Sequence, residues 1–132
     1  LLVAGYQADV DNPFQLFEIR YLSKQSMYLI GSESPKVFIS KKSLKHIIDQ
    51  RGNAEIIYAI PHMVCSPIKI VDNSAKRFRS FIFVSLDGAY RGAIVEITKT
   101  PDSKNQVVSA FYIDRKTYKK LKDISGRPDV PP

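Results

Sequence analysis

In the second half of the chain, apolar and polar positions alternate with a period of two through three successive runs: residues 77–86, 90–98 and 106–113. All three are rich in β-branched and aromatic side chains, and the pattern predicts three strands of one antiparallel sheet. The hairpin dipeptide Asp87-Gly88 ends the first run, and Thr100-Pro101-Asp102 with the polar residues after it ends the second. Alternation sorts the side chains onto two faces. One carries Phe78, Ile82, Val84, Leu86, Val95, Ile97, Val108 and Ala110 and is the expected core. The other mixes Arg79, Phe81, Phe83, Glu96, Thr98, Ser109 and Phe111. A sheet folds by burying an apolar face, so the mixed face is the expected working surface.

The first half has a different period. Residues 36–39 form a short β-type run, and Ser40 is placed to cap a helix reaching about Arg51, with Leu44, Ile47 and Ile48 as its apolar stripe and Gly52 closing it. His46 falls almost opposite that stripe, near Ser43 and Gln50, so it is not a core histidine. Arg51 falls within the stripe at the last turn, where it caps the helix carbonyls or snorkels past apolar neighbours toward a cleft. Asn53 is placed to cap a second helix whose Ile56, Ile57, Ile60 and Val64 share one band. Pro61 is expected to end or kink it after about two turns, leaving a short turn through Cys65. Pro67 blocks further helix, and residues 68–71 alternate as the first strand of the sheet. Asp114 caps a last helix with Tyr118, Leu121 and Ile124 inward and Lys116, Lys119, Lys120 and Lys122 outward.

Residues 1–35 leave two readings open. Asn12-Pro13 starts a helix with Phe14, Phe17, Tyr21 and Leu22 on one side, or residues 14–22 and 27–30 form a hairpin closed by residues 23–26. The expected organisation is an N-terminal extension (1–35), an α+β domain (36–125) and a tail (126–132). Within the domain, N-terminal helices pack on a four-stranded antiparallel sheet with a C-terminal helix.

Composition narrows the partner. A chain of 132 residues is one domain able to bury about two-thirds of the surface its unfolded form exposes, without a disulfide or metal staple. Lys and Arg number 20 against 13 Asp and Glu, a net charge of +7, which favours an anionic partner such as nucleic acid or an acidic protein. Cys65 is the sole cysteine and sits in a segment that reads as packing, so neither an intrachain disulfide nor a cysteine nucleophile is expected. His46 and His62 are too far apart to form a helical ligand pair, and no metal or cofactor is expected. No apolar run approaches the roughly 18 residues of a membrane span. The chain opens Leu1-Leu2, as expected of a processed product or a piece of a longer polypeptide.

Four segments occur in a telling order. Val37-Phe38-Ile39-Ser40 leads into Ser43-Leu44-Lys45-His46-Ile47-Ile48; Ile60-Pro61-His62-Met63-Val64 and Ser66-Pro67-Ile68 follow, and Val107-Val108-Ser109-Ala110-Phe111 lies in the last strand. Over residues 36–122 this order and spacing resembles the phage-associated branch of the barnase, EndoU, colicin and RelE-like nuclease fold. The resemblance implies a metal-independent ribonuclease of the toxin or effector type, acting on cytoplasmic RNA such as tRNA. It also implies placement at the end of a larger phage or secreted protein, and a cognate immunity protein. His46 matches the helical histidine and Ser109 the hydroxyl residue of the final strand. Members often carry a further histidine after the arginine matched by Arg51, where this chain has Gly52. That departure keeps a second reading open: a catalytically inactive basic module that binds nucleic acid or protein.

The chemistry of such an enzyme fits residues already singled out. RNA is cut when its own 2′-hydroxyl attacks the adjacent phosphate, which calls for a base, an acid for the leaving oxygen, and cations or donors around the phosphorus. His46 supplies the acid or the base, and Glu96 the complementary base if Arg79 lies beside it. Arg51, Arg77 and Arg79 are candidate phosphate clamps, Ser109 or Thr98 a donor to a phosphate oxygen, and Phe81 a stacking platform for a base. Each has a plainer counterpart: Glu96 and Arg79 as a cross-strand ion pair, Phe81 as core, and the Lys119 face as a solvated helix surface rather than an RNA contact.

Overall fold

Six strands and four helices make up the computed structural model, which describes residues 15–51, 55–75, 79–98 and 104–125. In chain order they are β1 (Leu16–Tyr21), α1 (Lys24–Ile30), β2 (Lys36–Ser40), α2 (Lys41–Arg51), α3 (Glu55–Cys65), β3 (Lys69–Asp72), β4 (Ser80–Asp87), β5 (Ala89–Ile97), β6 (Asn105–Ile113) and α4 (Arg115–Lys120). The strands form one sheet in the order β1-β2-β6-β5-β4-β3. All neighbours are antiparallel except β2 and β6, which run parallel, with Val37 opposite Asn105 and Ile39 opposite Val107. The expected four-stranded antiparallel sheet is therefore corrected to a six-stranded mixed one.

The correction arises at the N-terminal side. Neither open reading of residues 1–35 describes it: β1 pairs with β2, and the segment between them is α1, capped by Ser23 and closed by Gly31. Ser23 Oγ accepts from the Ser26 backbone N–H, and Gly31 adopts the left-handed conformation (φ 69°) that ends a helix without a Cβ clash. The parallel β2–β6 pair joins segments far apart in the chain, which no local period can reveal. Asn105 holds that junction from within the core: its Oδ1 accepts from the Ser32 hydroxyl, and its Nδ2 donates to the Ser34 and Lys36 carbonyls.

Both faces of the sheet are covered, and differently from the expectation. Phe81, Phe83, Ala93, Val95, Ile97, Val107 and Ala110 pack with α2 and α3 in the main core. Ile82, Val84, Leu86, Tyr90, Phe111 and Ile113 pack under Tyr118 of α4 on the opposite face. The hairpin turns on Gly88 (φ 72°) with Asp87 opposite Ala89, so Ile82 lies opposite Ile94 and Phe81 opposite Val95. The expected grouping of Ile82 with Val95 is off by one residue, and a one-residue slip moves a whole set of side chains to the other face. Phe78 lies outside the described residues.

α2 follows the expectation at its start and along its stripe, with Ser40 Oγ accepting from Ser43 N–H and Leu44 and Ile47 fully buried; Gly52 and Asn53, expected to close it and to cap the next helix, lie outside the described residues. α3 does not stop at Pro61 but runs through it to Cys65. An interior proline costs about 3 kcal/mol or more, whereas each fully buried large apolar side chain contributes roughly 1.5–3 kcal/mol. Ile56, Ile57, Ile60, Met63 and Val64 are all fully buried, so packing outweighs the lost hydrogen bond. α4 is shorter than expected. After Lys120 the chain turns extended and lies along β3, with the Ile124 N–H donating to the Ile70 carbonyl and the Ile70 N–H to Asp123 Oδ1. This strap satisfies backbone groups on the edge strand, and it leaves Ile124 exposed rather than inward.

Candidate functional site

α4 covers only one end of its face of the sheet. Its contacts centre on Val84, Tyr90 and Ile113, while Ser80 lies four residues before Val84 along β4, about 13 Å at the usual rise of a strand. The uncovered end is a hollow of about 360 Å³ lined by His46, Asn73, Ser80, Ile94, Glu96, Val108 and Ser109.

Each lining residue arrives there for a local reason. Ser80 lies directly opposite Glu96 across the β4–β5 ladder, so the two share a face. Ile94 lies opposite Ser109 across β5–β6. The next pair is Val95 with Val107, which leaves Val108 as the extra residue of a β-bulge. Strict alternation would send Val108 and Ser109 to opposite faces; the bulge turns both into the hollow, and bulges recur beside active sites for this reason. Asn73 ends the β3–β4 hairpin ladder, its backbone N–H donating to the Ser80 carbonyl at 2.8 Å and its Nδ2 to Ser80 Oγ at 3.2 Å.

His46 comes from outside the sheet. β2 pairs with β6 only through residues Val37–Ile39, and α2 follows directly after Ser40, packing along β6. Leu44 and Ile47 turn into the core, so His46, on the exposed side of the helix, meets the bulged stretch of β6. Three side chains that sequence alone suggested for proton transfer and phosphate contact, His46, Glu96 and Ser109, thus come together from α2, β5 and β6.

The remaining candidates are placed elsewhere. Arg79 stands immediately before β4 with φ 55°, and its guanidinium donates to the Gly31 carbonyl at the end of α1. It is not among the residues lining the hollow. Phe81 is half-buried against the main core, on the opposite face from Glu96. Thr98 closes the β5–β6 connection, its Oγ1 accepting from the Lys104 N–H and its N–H donating to the Lys104 carbonyl. Lys119 is exposed on α4. Arg77 and the Arg51 side chain lie outside the described residues. Asn73 and Ser80 are additions that sequence reasoning missed: each sits in a polar turn or strand start, with nothing local to mark it out.

What the arrangement can do chemically is limited and specific. It holds one imidazole and one carboxylate, the pair needed to move two protons, together with neutral donors and an apolar floor of Ile94 and Val108. Among the described residues, no helix is long and apolar enough to cross a membrane. No family model, curated protein or solved structure matches the chain.

Proposed function

We propose that the chain is a metal-independent endoribonuclease acting on cytoplasmic RNA. The reading rests on one observation: His46, Glu96 and Ser109, carried by three different elements, share one hollow with neutral donors around it. In the reaction, Glu96 takes the proton of a ribose 2′-hydroxyl, and the 2′-oxygen attacks the neighbouring phosphorus. The bond from phosphorus to the 5′-oxygen of the next nucleotide breaks as His46, entering protonated, donates its proton to that oxygen. Ser109 donates to a phosphate oxygen as charge builds on it. The products are a 2′,3′-cyclic phosphate and a 5′-hydroxyl.

Incubating the purified chain with total RNA in EDTA is the direct test. Cleavage leaving 2′,3′-cyclic phosphate ends is expected, with His46→Ala lowering the rate by about 10²- to 10⁴-fold, the usual contribution of a positioned acid or base. Absence of cleavage, or undiminished cleavage by the variant, overturns the assignment.

A second reading has an observation of its own. Arg79, the cation expected beside Glu96, is bonded to Gly31, and among the described residues that line the hollow none is Lys or Arg. A basic module that binds RNA without cutting it fits that lining, and it predicts association without turnover.

A further inference from the structure

We propose that Asn73, held in place by Ser80, reads the Watson–Crick edge of the nucleotide whose 2′-hydroxyl attacks, making the hollow base-selective; this rests on the endoribonuclease reading above. The lining divides by position. His46, Val108 and Ser109 stand at the β6 side, Ile94 and Glu96 in the middle on β5, and Ser80 and Asn73 at the far side on β4 and the end of β3. β6 and β3 are three strand spacings apart, about 14 Å. The hollow's volume of about 360 Å³ lies at the low end of the roughly 300–1,000 Å³ usual for small-molecule sites. A site that long and that small suits a single nucleotide laid across the strands, its phosphate at the His46 end and its base at the Asn73 end.

The far end has the chemistry of a reader rather than a phosphate clamp. Neither Asn nor Ser ionises in a working range, so neither adds charge to attract or repel a phosphate. The Asn73 amide is fixed by the bond from its Nδ2 to Ser80 Oγ and by its own backbone bond to Ser80. That leaves Oδ1 as an acceptor and the second amide N–H as a donor, while Ser80, which has no exposed surface, serves to hold the amide in place. A phosphodiester oxygen carries no proton, so Oδ1 has nothing to accept from it. A base edge, with an N–H beside a carbonyl or ring nitrogen, satisfies both sides of the amide. Ile94 and Val108 supply the apolar floor between the two ends.

The test is to map cleavage sites on an RNA pool randomised around the scissile bond, comparing the full chain with its Asn73→Ala variant. The wild-type chain is expected to favour one base at the 2′ side of the cut, and the variant to lose about tenfold or more of that preference, the scale of one bidentate base contact. A second variant, Asn73→Asp, keeps size and shape but replaces donors with acceptors, so its preference is expected to move toward bases presenting an amino group. Its folding is checked by the same cleavage readout. Equal slowing at all four bases would mark Asn73 as merely structural and overturn the inference. An unchanged preference in both variants overturns it too while leaving the endoribonuclease reading intact. Failure of the wild-type chain to cut any member of the pool overturns both.

Discussion

Gly92 and Asn105 show how much of this fold hangs on single atoms. A Cβ built on Gly92 would lie 2.9 Å from Ile113 Cδ1 and 3.2 Å from both Ile82 Cγ2 and Phe111 Cε2, so the second core is packed against a bare backbone. Gly92→Ala is expected to destabilise the chain by about 1–3 kcal/mol, the usual penalty for overpacking, as read from urea denaturation. Asn105 is fully buried with its oxygen and nitrogen both engaged. Replacing it with Ala leaves the Ser32 hydroxyl its bond to the Ser34 carbonyl but removes the amide that ties both, and the Lys36 carbonyl, to the start of β6, a loss of about 1–3 kcal/mol if no water replaces it. Loss of stability with faster hydrogen exchange in both β2 and the start of β6 is the expected result; exchange confined to one strand would mean that Asn105 does not hold the parallel junction.

At the scale of elements, α4 is only six residues long, and its stability comes from its ends. Asp114 accepts from the Thr117 N–H at the N-terminus, and that backbone bond, with a further bond from the Thr117 side chain, holds its carboxyl below the ordinary carboxylate value. At the C-terminus the buried Lys69 ammonium donates to the Tyr118 and Leu121 carbonyls at 2.9 Å each and lies 3.9 Å from the centre of the Tyr118 ring. Because the folded Asp114 gives up its proton more readily than the unfolded one, its contribution is present at neutral pH. It is lost as pH falls through the unfolded carboxylate range, near 4, toward the lower folded value. Asp114→Asn keeps a capping oxygen without that titration, so its denaturation midpoint is expected to depend less steeply on pH between about 5 and 3 than the wild type's. The elements themselves were largely legible: the Ser40 and Asp114 caps, the Leu44 and Ile47 stripe and the strand runs all stand in local sequence. The illegible parts depend on partners distant in the chain. The β2–β6 pairing, the register across Gly88 and the bulge at Val108 are fixed by which strands meet, and the bulge is why Val108 looked like core yet lines the hollow with Ser109.

For the whole molecule, the net charge of +7 bears on how the proposed RNA substrate would be held beyond the one nucleotide assigned to the hollow. α4 packs on the same face of the sheet as the hollow, and its Lys116, Lys119 and Lys120 are exposed. None of them lines the hollow, so on the proposed reading they take no part in proton transfer and would instead contact phosphates further along an RNA strand. Such contacts release counterions, so affinity falls with salt in proportion to their number, with a logarithmic slope of about 0.7 per phosphate for a single strand. His46→Ala, which blocks the proposed cleavage, allows binding to be measured on intact RNA. Its affinity for a single-stranded oligonucleotide is expected to fall steeply between low and physiological salt, and adding Lys119→Gln and Lys120→Gln is expected to reduce the slope by about 0.7 for each contact removed. Neither change should alter which base is preferred at the cut when the two glutamines are placed in the active chain. A slope untouched by the glutamines would make the α4 lysines a solvated surface, and salt-insensitive association would point to a protein partner rather than RNA. The separation of roles is itself the prediction: the hollow chooses the nucleotide, and the charge around it sets how tightly the rest of the strand is kept.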